Sequence, residues 1–133
     1  MNQLQNKASR DAEIFSPLSF NESVLESIKE SKGKDIVMID LRELHDRPTD
    51  FFIICSGDSN TQIKSIAENI YKRVKEFKGE IPFSIEGKDQ SKWILMDYFS
   101  TVVHIFYPEM RDYYELEELW SDGLVTEFEN VYL

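Results

Sequence analysis

Asp40, Asp50 and Asp97 stand at or near the ends of apolar runs of strand length. Carboxylates in such places can hold a divalent metal for nucleotidyl or phosphoryl transfer. That chemistry would be strengthened by two carboxylates on one strand, spaced Asp-x-Asp, and none of these runs carries the pair. The segment SGDSN, residues 56–60, leads into a helical pattern and could cradle a phosphate on backbone N–H groups. It has one glycine and no following lysine, so it fails as a P-loop, and capping and loop roles account for it better. Cys55 lies inside an apolar run, where small buried thiols are common; a nucleophile there would need His104, on another strand, as its base. His45 sits in a polar loop with no partner at metal-ligand spacing, as expected of an exposed side chain. A metal-dependent nucleotidyl or phosphoryl transferase using the three aspartates is therefore the alternative. The residues favour a protein that is not an enzyme and has no metal or cofactor site.

The run from Glu86 to Trp120, EGKDQSKWILMDYFSTVVHIFYPEMRDYYELEELW, carries a different pattern: two adjacent strands, then an acidic helix, with large aromatic groups and charges sharing faces. Such a surface suits gripping another macromolecule, because aromatics supply rigid contact area and neighbouring charges set register. Strand alternation puts Trp93, Leu95 and Asp97 on one face and Ile94, Met96 and Tyr98 on the other. On the next strand Val102, His104 and Phe106 share a face opposite Thr101, Val103, Ile105 and Tyr107. With Asp97 and Trp93 together and His104 across the hairpin, one face is half polar and half aromatic. It is either a docking face or a core strand with one buried Asp–His hydrogen bond, and the sequence leaves both open.

The elements that must position these residues follow from periodicity. Asn21 can cap a short helix with Val24, Leu25 and Ile28 on one face, ending near Gly33. IVMIDL, 36–41, and FFIICS, 51–56, read as strands covered on both faces. Ile63, Ile66, Ala67, Ile70, Val74 and Phe77 repeat at helical spacing until Gly79. Ile81 to Glu86 is a short strand whose Pro82 suits an edge or a strand start. The runs 93–98 and 101–107, about two residues apart, form an antiparallel hairpin, and Pro108 closes it before helical periodicity returns from Glu109 to Trp120. Leu124, Val125, Phe128, Val131 and Tyr132 fall at roughly helical offsets, as in a further turn or two. The expected architecture is an α/β sandwich: a mixed β-sheet of about five strands with helices packed on it. Residues 1–20 read as a tail, 21–120 as the domain and 121–133 as a C-terminal extension.

The 133 residues suffice for one core, and no stretch approaches the roughly 20 apolar residues needed to cross a bilayer. The first twenty residues lack an apolar h-region or an Arg-rich, acid-poor bias, and the single cysteine fits a reducing compartment, so a cytoplasmic, non-membrane protein is expected. The net charge of −10 repels phosphate backbones, which disfavours direct nucleic-acid binding. Glu109 to Leu133 hold eight acids against one base, a field that draws in basic proteins.

From about Asp35 to Trp120, the stretches DIVMIDLREL, TDFFIICSG with SNTQIKSIAENI, IEGK with WILMDY, and VVHIFYPEMRDYYELEELW resemble the Iojap family, the ribosomal silencing factors. The resemblance implies a nucleotidyltransferase-like topology without an established catalytic activity. It also implies a factor that binds ribosomal protein uL14 on the large ribosomal subunit, blocks joining of the small subunit and so represses translation. Relatives are also credited with a role in large-subunit maturation, and some form homodimers. Family-typical surface positions would be Glu86, Gly87, Lys88, Trp93, Asp97, His104, Arg111 and Tyr114. Trp93 would be the aromatic anchor with Tyr98 as a second contact, and Asp97 with the acids near Glu109 would pair with basic groups of uL14. Arg111 would answer an acid or hold the final helix. The chain departs from the family pattern at Phe99 and Ser100, where relatives usually turn with a glycine and an acid, at Asp58, where a threonine is common, and after Gly123.

Overall fold

The computed structural model describes residues 17–130, so the tail reading for 1–16 and the contributions of Val131 and Tyr132 lie outside the described residues. The chain runs α1 (Pro17–Glu30), β1 (Lys34–Asp40), β2 (Phe51–Ser56), α2 (Asn60–Lys78), β3 (Ser84–Glu86), β4 (Trp93–Asp97), β5 (Thr101–Phe106), α3 (Pro108–Tyr114), α4 (Leu116–Leu119) and β6 (Leu124–Glu127). The sheet has six strands in the order β3-β4-β5-β2-β1-β6, all neighbours antiparallel except β2 with β5. It is a mixed α/β sandwich with one strand more than expected.

That extra strand is β6. Leu124 to Glu127 pair antiparallel with Val37 to Asp40 instead of coiling, so the helical offsets there were coincidental. All four of its residues are exposed, and its ladder to β1 holds them in the sheet. At the other end of the sheet the strand expected over 81–86 shortens to Ser84–Glu86.

Helix α1 starts at Pro17 rather than at an Asn21 cap, since a proline in the first turn forfeits no intrahelical bond. Asn21 is instead buried inside the helix, where its Oδ1 accepts from the Thr101 hydroxyl at 2.6 Å. Helix α2 is capped as its sequence suggests: Ser59 Oγ accepts the Gln62 N–H, and Gly79, at φ 68°, donates to the Lys75 carbonyl. Both helices cover one face of the sheet, where Val24, Ile28, Ile63, Ile66, Ile70 and Val74 meet Ile36, Ile53, Cys55, Ile94, Met96, Val103 and Ile105. Phe77, expected on that stripe, is 55% exposed and lies under the Arg73 guanidinium instead.

The opposite face is only partly covered. Val37, Ile39, Leu41, Phe52, Ile54, Val102 and Phe106 form its buried layer. The single helix expected over 109–120 is broken at Glu115, whose φ of 47° turns the chain between α3 and α4. These two short pieces lay Met110, Leu116 and Trp120 over the buried layer and leave Trp93 and Leu95 half-buried beyond them.

Candidate functional site

The half-covered face is assembled by the β4–β5 ladder. Trp93 lies opposite Phe106, Leu95 opposite His104, and Asp97 opposite Val102, so the alternation read from the sequence holds on both strands. The Trp93 indole stacks on Phe106 (centroids 4.8 Å apart, planes at 26°) and leans against Tyr114 from α3 (4.8 Å, 45°). Tyr113 meets Tyr114 edge-on at 5.0 Å, extending the aromatic row into solvent, where Tyr113 is 79% exposed. A groove of about 340 Å³ runs beside the indole, lined by Gly87, Asp89, Gln90, Lys92, Trp93 and Met110. Gly87 lets the loop pass this close to β4: at φ 88°, a Cβ there would sit 2.0 Å from the Trp93 carbonyl oxygen.

The positions singled out from sequence separate in space. Glu86 and Lys88 are exposed on and just after the edge strand β3, with Glu86 opposite Leu95. Tyr114 is 46% exposed beside Trp93. Asp97 is half-buried; its Oδ1 accepts the Phe99 N–H at 2.8 Å and so braces the β4–β5 turn, in which Phe99 adopts φ 70°. No Asp97–His104 hydrogen bond forms.

Tyr98 lies on the far face, 9% exposed and edge-on to Phe20 of α1 at 5.0 Å, because its register follows Ile94 and Met96. Burial raises its hydroxyl pKa. It is a core residue and offers no surface beside Trp93. His104 is on the Trp93 face but only 3% exposed; its Nδ1 accepts the Trp93 indole N–H at 3.1 Å. Burial lowers its pKa to about 4. Arg111 also points inward, its side chain 10% exposed, and donates to Glu117 Oε1 at 2.7 Å and to Ser56 Oγ at 2.8 Å. It fastens α3 and α4 to the end of β2.

The sequence did not single out Leu119, Leu124 and Val125, which are 72%, 62% and 46% exposed on the C-terminal elements, or the Trp120 ring edge-on to Phe52 at 5.9 Å. Nothing in periodicity separates an apolar residue left outside from one turned inward. On α3, α4 and the residues flanking them, Glu109, Asp112, Glu115, Glu118 and Asp122 are all exposed, so the helical side of the aromatic row has an acidic rim, while Lys92 lines the groove on its other side.

Residues 17–132 match the family model described as ribosomal silencing factor during starvation. The chain belongs to the ribosomal silencing factor family. A ribosomal silencing factor of Halalkalibacterium halodurans is 35% identical over 79% of this chain and 88% of that protein. A mouse protein named for mitochondrial assembly of the ribosomal large subunit is 34% identical over 71% of this chain and 42% of its own length. Among solved structures, a crystal structure of a Chromobacterium violaceum protein superposes with a TM-score of 0.76 at 33% identity, covering 80% of this chain and 88% of that one.

In this member of the family the three aspartates considered for metal chemistry are each engaged separately. The Arg42 guanidinium meets Asp40 with two hydrogen bonds, at 3.0 and 2.8 Å, and holds its carboxyl below the usual range despite partial burial. Asp50 accepts from Arg47 at 2.9 Å, and Asp97 serves the turn. Among the described residues no group of three His, Cys, Asp or Glu side chains could hold a metal ion. Cys55 is fully buried, and burial pushes its thiol up to about 12, far from a thiolate nucleophile at neutral pH. His45 is exposed, as its loop suggested. Among the described residues no helix is long and apolar enough to cross a membrane.

Proposed function

We propose that this silencing factor acts in the cytoplasm by docking its Trp93 face onto ribosomal protein uL14 of the large subunit and sterically blocking the small subunit. Translation is thereby repressed, and the same occupancy would keep a maturing large subunit apart from its partner. Occlusion needs affinity and bulk but no chemical step, which agrees with aspartates that neutralise arginines and brace a turn. One copy of the chain suffices.

The observation that carries this reading is the half-buried Trp93 indole, stacked on buried Phe106 and leaning on exposed Tyr114, with exposed acids on the helix beside it. Interface hot spots have this anatomy, an aromatic anchor fixed by its own protein and shielded by a polar surround, and ribosomal proteins are typically basic. Among the positions singled out from sequence, the contacting set is then Trp93 and Tyr114, with Glu86, Lys88 and Asp97 at the rim, while Tyr98, His104 and Arg111 support from inside.

Sedimentation of purified large subunits with the protein tests it. Trp93→Ala should weaken association by about 2 kcal/mol or more, roughly thirtyfold, with the fold retained. Wild-type protein should also shift joined ribosomes towards free subunits in a sucrose gradient. Undiminished co-sedimentation of a folded Trp93→Ala variant would reject this face, and capture of large subunits lacking uL14 would reject the partner.

A further inference from the structure

We propose that His104 is a positioning residue for docking: its Nδ1 fixes the Trp93 indole in the orientation the partner meets, and the imidazole itself touches no partner. This rests on the Trp93 face being the docking face, and it changes what His104 does there.

Trp93 projects from a strand with two side-chain torsions free to turn it. Its stacking on Phe106 and its lean on Tyr114 hold the ring plane but tolerate rotation within that plane. The indole N–H bond to His104 Nδ1 is directional, and it runs diagonally across the ladder, since His104 lies opposite Leu95 and Trp93 opposite Phe106. The acceptor is itself packed on both sides. The imidazole is edge-on to Phe52 at 4.8 Å and parallel to Phe106 at 6.1 Å, with 3% of its surface exposed.

Accepting at Nδ1 places the ring proton on Nε2, and that atom is buried without a hydrogen-bond partner. An orphaned buried donor is costly, and an aliphatic residue beside Phe52, Ile54 and Phe106 would avoid it. What the histidine supplies that an aliphatic group cannot is the acceptor for Trp93. Burial keeps the ring neutral, so the acceptor is available at neutral pH.

The test is a double-mutant cycle, read as dissociation from immobilised large subunits together with the indole N–H resonances of the ¹⁵N-tryptophan-labelled protein. His104→Leu should speed dissociation about tenfold, as expected for one lost net hydrogen bond, and should shift the Trp93 indole signal and its hydrogen exchange. His104→Asn can place its Oδ1 where Nδ1 stands and should restore dissociation to within about threefold of wild type. In a Trp93→Phe background, which has no indole N–H, His104→Leu should add less than about twofold. An equal tenfold effect in that background would mean that His104 serves general packing and would overturn the proposal. So would an unmoved indole signal, or wild-type dissociation by His104→Leu where Trp93→Ala is impaired. Normal binding by Trp93→Ala would instead remove the docking face itself, and this inference with it.

Discussion

At the scale of single residues, the half-covered face depends on groups that never leave the interior. Arg111 donates to β2 and to α4 at once, so the elements bearing Tyr113 and Tyr114 are anchored to the sheet by one guanidinium. His104 does the same for Trp93. Its ordinary pKa of 6.5 falls to about 4 on folding because burial disfavours the charged ring. A lowered histidine pKa means that the unfolded chain takes up the proton first. The stabilisation is therefore complete above about pH 6.5, drains away as pH falls towards 4, and changes no further below that. The total is on the order of 3 kcal/mol, and protonation would also set an N–H against the Trp93 N–H. Urea titrations of the wild type and of His104→Asn at several pH values between 4 and 7 check this. The wild type should lose stability more steeply with acid than the variant, and parallel curves would contradict the assignment.

At the scale of elements, the loop from β3 into β4 carries the tightest constraint. A Cβ at Gly87 would lie 2.0 Å from the Trp93 carbonyl oxygen, at a φ that side chains rarely adopt. Gly87→Ala should cost about 2–4 kcal/mol, combining left-handed strain with overpacking, and should loosen β3 from β4. Urea denaturation gives the first, and faster amide exchange at residues 84–86 gives the second; a change below about 0.5 kcal/mol would refute it. The elements differ in how far their residues disclosed them. Both long strands of the β2–β5 core and helix α2 were legible, because burial on both faces leaves continuous apolar runs and burial on one leaves a helical stripe. Alternation across the hairpin was legible too, and it gave the Trp93 face. It also placed Tyr98 with Ile94 and Met96, on the side that α1 covers, which rules out a contact beside Trp93. Strand β6 was not legible, since an edge strand exposed at all four residues leaves no burial pattern. The break at Glu115 and the inward turn of Arg111 arise from tertiary contacts that no local spacing encodes.

At the scale of the whole molecule, charge is divided against the net value. The chain carries −10 overall, and residues 109–133 alone hold eight acids and one base, with Glu109 and Asp112 exposed on the helix whose Tyr114 leans on Trp93. The exposed rim acts through water, so its field reaches about a Debye length, near 8 Å at physiological salt and 3 Å at 1 M. The long-range attraction of this rim for a basic surface should thus govern encounter, whereas the buried stack at Trp93 should govern residence. Raising salt from about 0.05 to 0.5 M should slow association with large subunits by roughly tenfold or more while dissociation changes little. Trp93→Ala should do the reverse, and stopped-flow or surface-binding kinetics separates the two rates. A salt-independent association rate would mean that the acids are only a solvated face. The aromatic groups would then have to bring the partners together as well as hold them, which dispersion and stacking contacts, acting only at a few ångströms, are poorly suited to do.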